Sequence, residues 1–387
     1  MIGPPIYDNW IAAVNSKSCL SIHEYPLLTD AEITGELPAG LGPYKFLNPG
    51  AFHNGPRRVR AAIILRVELH IEFQYPDTLK TDSERYHGGS FTDEIAALSS
   101  LALGIRLKAG GLSRRFDAGC DPLGSPLGRD PNPPAVVLTQ NNGLVLPSAV
   151  DPHSLNYGDL ELLKLLTRIS PQDAIALIRA ARLYQDALWI VESEPALAWL
   201  MLVSSIEAAA NYWCTVKASP LERLKESKPK LVTYLDNLCI EGLSAEVAES
   251  VADSLGSTKK FVDFVMAFLP PAPSLRPADW GRHPWESKQM KKTMNIIYGY
   301  RSNALHGGRP FPAPMCEPPY LQPDWEAPAE KPTALGTAMK GGSWRVEDTP
   351  MLLHTFEYIT RNALHKWWRS MAEHTVDSTK DRFFEGE

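Results

Sequence analysis

Cysteine is scarce and scattered. Five residues (Cys19, Cys120, Cys214, Cys239 and Cys316) occur among 387, with no C-x-x-C pair. That distribution argues against a zinc site or a disulfide framework and fits a reducing cytoplasm. Cys214 and Cys239 fall in helical runs and read as core residues. Long apolar runs are missing too. The longest, Ala196 to Val203, is far short of the roughly 20 residues that span a bilayer, so no membrane segment is expected. The opening MIGPPIYDNW lacks the basic-then-apolar pattern of a secretion signal. No phosphate loop, dinucleotide-binding glycine pattern or metal motif stands out, so neither a metal nor a cofactor is expected. A net charge of −6 does not suit a general nucleic-acid binder.

A chain of this length fits two domains. Residues 1–58 are rich in glycine and proline and predict turns and short strands. From Arg60 to Tyr75, Ile63, Leu65, Val67, Leu69, Ile71, Phe73 and Tyr75 alternate with mostly polar residues. That is the period of a strand with one buried face. His70, on the polar side, reads as a surface residue. A helix is expected from Thr92 to Lys108, capped by Ser90 or Thr92 and stopped by Gly110-Gly111. Residues 110–134 read as an extended loop, and Ala135–Thr139 with Gly143–Leu146 as a hairpin. Residues 1–150 therefore predict a mixed α/β domain, assigned a sensor or regulatory role because its composition differs from that of residues 155–387.

Residues 155–387 read as helices. A leucine-dense run covers Asp159–Ile169, and Ser170-Pro171-Gln172-Asp173 opens the next helix with a capping residue, a first-turn proline and an early acid. Pro195 to Trp213 is apolar on nearly every side and should form the centre of a bundle. Ser219-Pro220-Leu221-Glu222 repeats the capping signature, and Ala245–Leu255 and Thr258–Leu269 come next. The proline-dense residues 309–333 should be free of helix, with a last helix from Pro350 to Met371.

Residues 286–309, ESKQMKKTMNIIYGYRSNALHGGR, read as one helix ending at a glycine pair, with Gly307 as a left-handed cap. Arg301 and His306 sit near its end. Two other R-x(4–6)-H spacings exist. Arg276/His283 lies among prolines, where no rigid element is expected to hold it, and Arg369/His374 lies at the end of the last helix. Arg361/His365 has one residue too few and reads as packing and surface. Only Arg301 continues an apolar helical stripe, Met290/Met294/Ile297, so its guanidinium needs an anion nearby. Glu207, inside the most apolar helix, is the obvious partner. That pair either fixes helix packing or serves a catalytic site. Between Arg282 and Arg309 there are six basic residues against one acid, Glu286. Lys288, Lys291, Lys292 and Arg309 are thus candidate RNA contacts, or else a solvated helix face.

The string Tyr298-x-Tyr300-Arg301-Ser302-Asn303-Ala304-Leu305-His306-Gly307 resembles the R-x(4–6)-H motif of HEPN domains, nearest to the ApeA-like branch. Leu200 to Ala209, an apolar helix with one embedded glutamate, is similar to the helix that precedes the motif helix in that group. The resemblance covers roughly residues 155–375 and implies an all-α HEPN bundle after the α/β part, an α+β chain overall. It implies a metal-independent endoribonuclease that acts as a homodimer in the cytoplasm and leaves 2′,3′-cyclic phosphate and 5′-hydroxyl ends. It further implies a role in prokaryotic anti-phage defence, with RNA, tRNA included, as substrate and a phage-derived or nucleotide trigger. Cyclic-oligonucleotide sensing of the CARF type is disfavoured, because no strand–glycine–helix opening is visible.

RNA carries its own nucleophile, the 2′-hydroxyl, so cleavage needs a proton-moving group and a cation for the phosphorane. His306 suits the first role and Arg301 the second. Ser302 and Asn303 can add hydrogen bonds, and Tyr298 and Tyr300 can stack a base or simply pack. Five residues turn a helix by about 140°, so Arg301 and His306 do not share a face of an ideal helix. Either the helix loosens before Gly307 or the site is composed across a dimer. The competing reading is a non-catalytic HEPN module that binds nucleic acid or protein.

Overall fold

Alternation at Ile63, Leu65, Val67 and Leu69 puts four apolar side chains on one face of a strand, and all four are buried. The computed structural model in which this is seen describes residues 3–31, 33–34, 40–47, 59–72, 81, 83–120, 143–150, 155–214, 219–238, 240, 242–251 and 256–384. The strand is β4 (Arg60–Leu69), antiparallel to β1 (Ser21–Thr29) on one side and to β3 (Tyr44–Leu47) on the other. Two short strands, β5 (Lys108–Ala109) and β6 (Arg114–Asp117), complete the sheet along the far side of β1. A further short strand, β2 (Ile33–Thr34), pairs in parallel with β7 (Leu155–Asn156).

The expected strand to Tyr75 stops at Leu69. The His70 N–H turns to the side-chain oxygen of Asn9 (2.7 Å) instead of continuing the ladder. Residues 73–80 lie outside the described part. Asn9 belongs to α1 (Pro5–Val14), a helix where only turns and strands were expected. Trp10 and Tyr44 pack edge to face, and the Tyr44 hydroxyl donates to the Ile6 carbonyl (2.7 Å).

The helix expected from Thr92 to Lys108 is α2, Phe91–Leu103. Asp93 accepts from the Ser90 N–H (2.8 Å), closing its first turn. It ends at Gly104, which is left-handed (φ +70°), six residues before the glycine pair expected to stop it. Lys108 then joins the sheet. Of the expected hairpin, residues 135–139 are outside the described part. Residues 143–146 are not a strand, because the Val145 and Leu146 N–H groups donate to the Glu192 carboxylate (2.9 and 3.0 Å).

A short α3 (Pro147–Val150) precedes the helical region. The leucine-dense run forms a 3-10 helix, Tyr157–Arg168. Next come α4 (Pro171–Ile190), with the expected Ser170–Asp173 capping box, and α5 (Pro195–Trp213), whose bounds match expectation. α6 (Pro220–Ser227), α7 (Pro229–Asn237) and α8 (Leu243–Ser250) form a satellite cluster around Leu224, Val232, Leu235 and Ala248. α9 (Ser257–Ala267), α10 (Ser287–Gly307) and α11 (Leu353–Phe384) surround α5. Between α10 and α11 a short 3-10 turn (Ala313–Cys316) interrupts the proline-dense stretch, and an unexpected hairpin, β8 (Gly336–Met339) and β9 (Gly342–Arg345), follows it. Lys340 and Gly341, both at positive φ, make its two-residue turn.

The architecture is thus mixed α+β, an antiparallel sheet followed by helices. One continuous apolar core runs from Ile6 through Leu98, Leu163 and Leu188 to Trp367, with no packing gap near residue 150 among the described residues. Among the described residues no helix is long and apolar enough to cross a membrane.

Candidate functional site

α10 carries the motif. Met290, Thr293, Met294, Ile297 and Tyr298 form its buried face, and the helix runs one residue further than expected, with Gly308 rather than Gly307 as the left-handed cap (φ +62°). The Gly308 and Arg309 N–H groups both close on the Asn303 carbonyl.

Arg301 meets Glu207 of α5, as the embedded carboxylate required. Its Nη2 donates to Glu207 Oε2 at 2.5 Å, and the Tyr298 hydroxyl donates to Oε1 at 2.7 Å. The guanidinium also lies over the Tyr298 ring, 5.4 Å from its centre. The side chains of Arg301 and Glu207 are only 19% and 12% exposed, so water screens the pair poorly. Burial, and then Glu207, push the Tyr298 hydroxyl up to about 12, so it stays a donor. Arg301 Nε is buried without a hydrogen-bond partner.

His306 stands elsewhere. It is exposed, on the opposite side of α10 from Arg301, because the helix stays regular to Gly307. About five and four turns earlier on the same side lie Lys288 and Lys292, and Asn295, Gly299 and Asn303 fill the stripe between. All of these are exposed, as are Lys291 and Arg309, and none of the four candidate basic residues forms an ion pair among the described residues. Ser302 is half-buried. Of the two tyrosines, Tyr298 holds Glu207, and Tyr300 donates to the Asp348 carbonyl (2.6 Å) while packing on Phe311. The Tyr298 ring is buried against Phe261, whereas Tyr300 is half-buried.

The other R-x-H spacings also resolve. Arg276 and His283 were expected to lack a rigid holder, and the structure corrects this. Arg276 forks onto Glu330 (2.7 and 2.6 Å) and donates to the His283 carbonyl, while the His283 N–H donates to the same carboxylate (2.7 Å). Burial drives the His283 imidazole down to about 4. It is a neutral structural ring, not a proton shuttle. Arg361 and His365 pack, as expected, but against the end of α2 rather than at the surface. Arg361 donates to the Leu101 and Ala102 carbonyls, and His365 Nε2 reaches Leu101 O (2.9 Å). The His374 side chain lies outside the described part, as does Cys239. Cys214 caps the end of α5.

Buried polar clusters that were not foreseen include Asp30 with Arg106, Glu94 with His87, Glu24 with Arg66, and Glu357 with Tyr184. Glu94 and Arg106 stand in plainly apolar runs, a signal that was present in the sequence. No group of histidine, cysteine and acidic residues among the described residues is arranged to hold a metal ion. No family model, no curated protein and no solved structure matches the chain.

Proposed function

We propose that the chain is a metal-independent endoribonuclease of the HEPN type, working as a homodimer on RNA. The observation that carries this reading is the contrast between the two motif side chains on one helix. Arg301 is fixed by Glu207 and Tyr298, while His306 projects into solvent in line with Lys288 and Lys292. An exposed imidazole suits proton transfer on a phosphodiester, lysines about 20–27 Å away along the same helix can meet other phosphates of one strand, and a pre-oriented guanidinium suits the charge of a phosphorane. Since the two do not share a face within one chain, His306 of one copy would work with Arg301 of the other. Ser302 and Asn303 would add hydrogen bonds from the last turns.

A second reading, a non-catalytic module for nucleic acid or protein, is favoured by one observation: the Arg301 charge is already satisfied by Glu207. Cleavage of total RNA and tRNA in EDTA separates the two, comparing wild type with His306→Ala and analysing the ends. The enzyme reading expects cyclic-phosphate ends in the wild type and a loss of about 100-fold or more in the variant. RNA binding without cutting in either protein supports the module. Equal cutting by both would remove His306 from the mechanism.

A further inference from the structure

A cavity of about 300 Å³ opens where the end of α2 meets α11 and two proline-rich loops. Its walls are mainly apolar, formed by Leu103, Pro273, Leu275, Pro277, Pro328 and Tyr358. This volume lies at the lower end of the range for small-molecule sites.

Among the described residues, the charged groups around it are paired with one exception. Glu330 is neutralised by Arg276 (2.6 Å). Arg361 meets Asp159 (3.7 Å) and the Leu101 and Ala102 carbonyls. His354 donates from Nε2 to the Ala329 carbonyl (2.7 Å), and burial disfavours its charged form. Glu357 has no such partner. It is only 5% exposed and forms no ion pair among the described residues. The Tyr184 hydroxyl donates to its Oε1, and Oε2 accepts no hydrogen bond among the described residues. A buried carboxylate without a paired cation is costly, and burial raises its affinity for a proton by more than the Arg361 charge one helical turn away and the Tyr184 hydrogen bond lower it. A cation arriving through the cavity would relieve the same cost.

We propose that this cavity binds a small molecule with an ammonium or amidinium head and an apolar body. The head meets Glu357, and the body lies against Leu103, Leu275, the prolines and the Tyr358 ring. An anion would face Glu357 while Arg361 is held by backbone carbonyls, and a polymer strand is too large for the space. This inference stands apart from the ribonuclease reading.

The test uses the full chain with benzamidine, and with its neutral isostere benzamide, by calorimetry and ligand-observed NMR. Benzamidine is expected to bind about tenfold or more tightly than benzamide, with that preference lost in Glu357→Gln. Gln keeps an acceptor for Tyr184. Ser148→Trp, at an exposed position on the rim, should weaken benzamidine by about tenfold and serves if the Gln variant does not fold. Equal binding of the two probes, no binding of benzamidine, or an affinity unchanged in either variant would overturn the proposal.

Discussion

His365 shows how a motif-like spacing can serve packing alone. Arg361-Asn362-Ala363-Leu364-His365 resembles a shortened copy of the motif, yet His365 is buried against the end of α2 with its Nε2 on the Leu101 carbonyl. Burial, then Arg361, drive its imidazole down to about 3. The folded chain therefore keeps this ring neutral, while the unfolded chain titrates it near pH 6.5. Between those values the unfolded state binds more protons. The contribution is complete above pH 6.5 and is lost as the pH falls toward 3. His283, brought down to about 4 mainly by burial, adds to the same slope. Glu94 and Glu357, both raised by burial, act with the opposite sign, so the difference between two proteins isolates the histidine. His365→Gln should start about 1 kcal/mol less stable at pH 7, for the disturbed hydrogen bond. It should then lose about 2–3 kcal/mol less than wild type between pH 6.5 and pH 4. Urea unfolding across that pH range measures the difference, and parallel curves would deny the assignment.

At the scale of elements, what could be read depended on how local the cause was. The bounds of α5 were legible because Pro195 opens it and a nearly all-apolar sequence specifies a buried helix. The start of α4 was legible from Ser170 and Asp173, which cap each other three residues apart. β1 was expected only as an unplaced short strand within residues 1–58, because a bulge between Leu27 and Leu28 breaks its period and Pro26 cannot donate to the ladder. The end of α2 was misplaced because its cause is distant: Arg361 and His365 of α11 take the carbonyls that would otherwise continue the helix. The Glu207–Arg301 pair was legible because a carboxylate in an apolar helix demands a partner. The Arg276–Glu330 clamp was not, since its halves are 54 positions apart, with all of α10 between them. Gly104 tests the distant cause. A Cβ there would lie 2.7 Å from the Arg361 guanidinium carbon, at a backbone angle of φ +70°. Gly104→Ala should cost about 2–3 kcal/mol, more than the ~1–2 kcal/mol of left-handed strain alone. Gly308→Ala, also left-handed but with nothing within 4 Å, should show only the strain. Chemical denaturation of the two variants compares them directly.

For the whole molecule, the composition change near residue 150 suggested two separate units, whereas the packing joins what it connects. Leu98, Leu101 and Ile105 share a core with Leu160, Leu163, Leu177 and Leu364. Arg361 and His365 tie the end of α2 to α11, and Gln185 of α4 donates to the Leu107 carbonyl beside β5. Separating the sheet from the helices would expose apolar faces on both and leave buried carbonyls without donors, each costing about 1–3 kcal/mol. A shared core of this kind makes unfolding cooperative across it. Calorimetry should therefore show the α/β part and the α4–α5–α11 helices melting in one transition, with van't Hoff and calorimetric enthalpies in agreement. The α6–α8 cluster, whose buried core is only Leu224, Val232, Leu235 and Ala248, should open earlier by hydrogen exchange. Two resolved calorimetric transitions would show that the sheet and the helices fold independently. In that case a sensor role for residues 1–150 would require a movable contact between them. A single transition would instead mean that any signal from the sheet reaches α10 through the common core, by strain on α11 and α5.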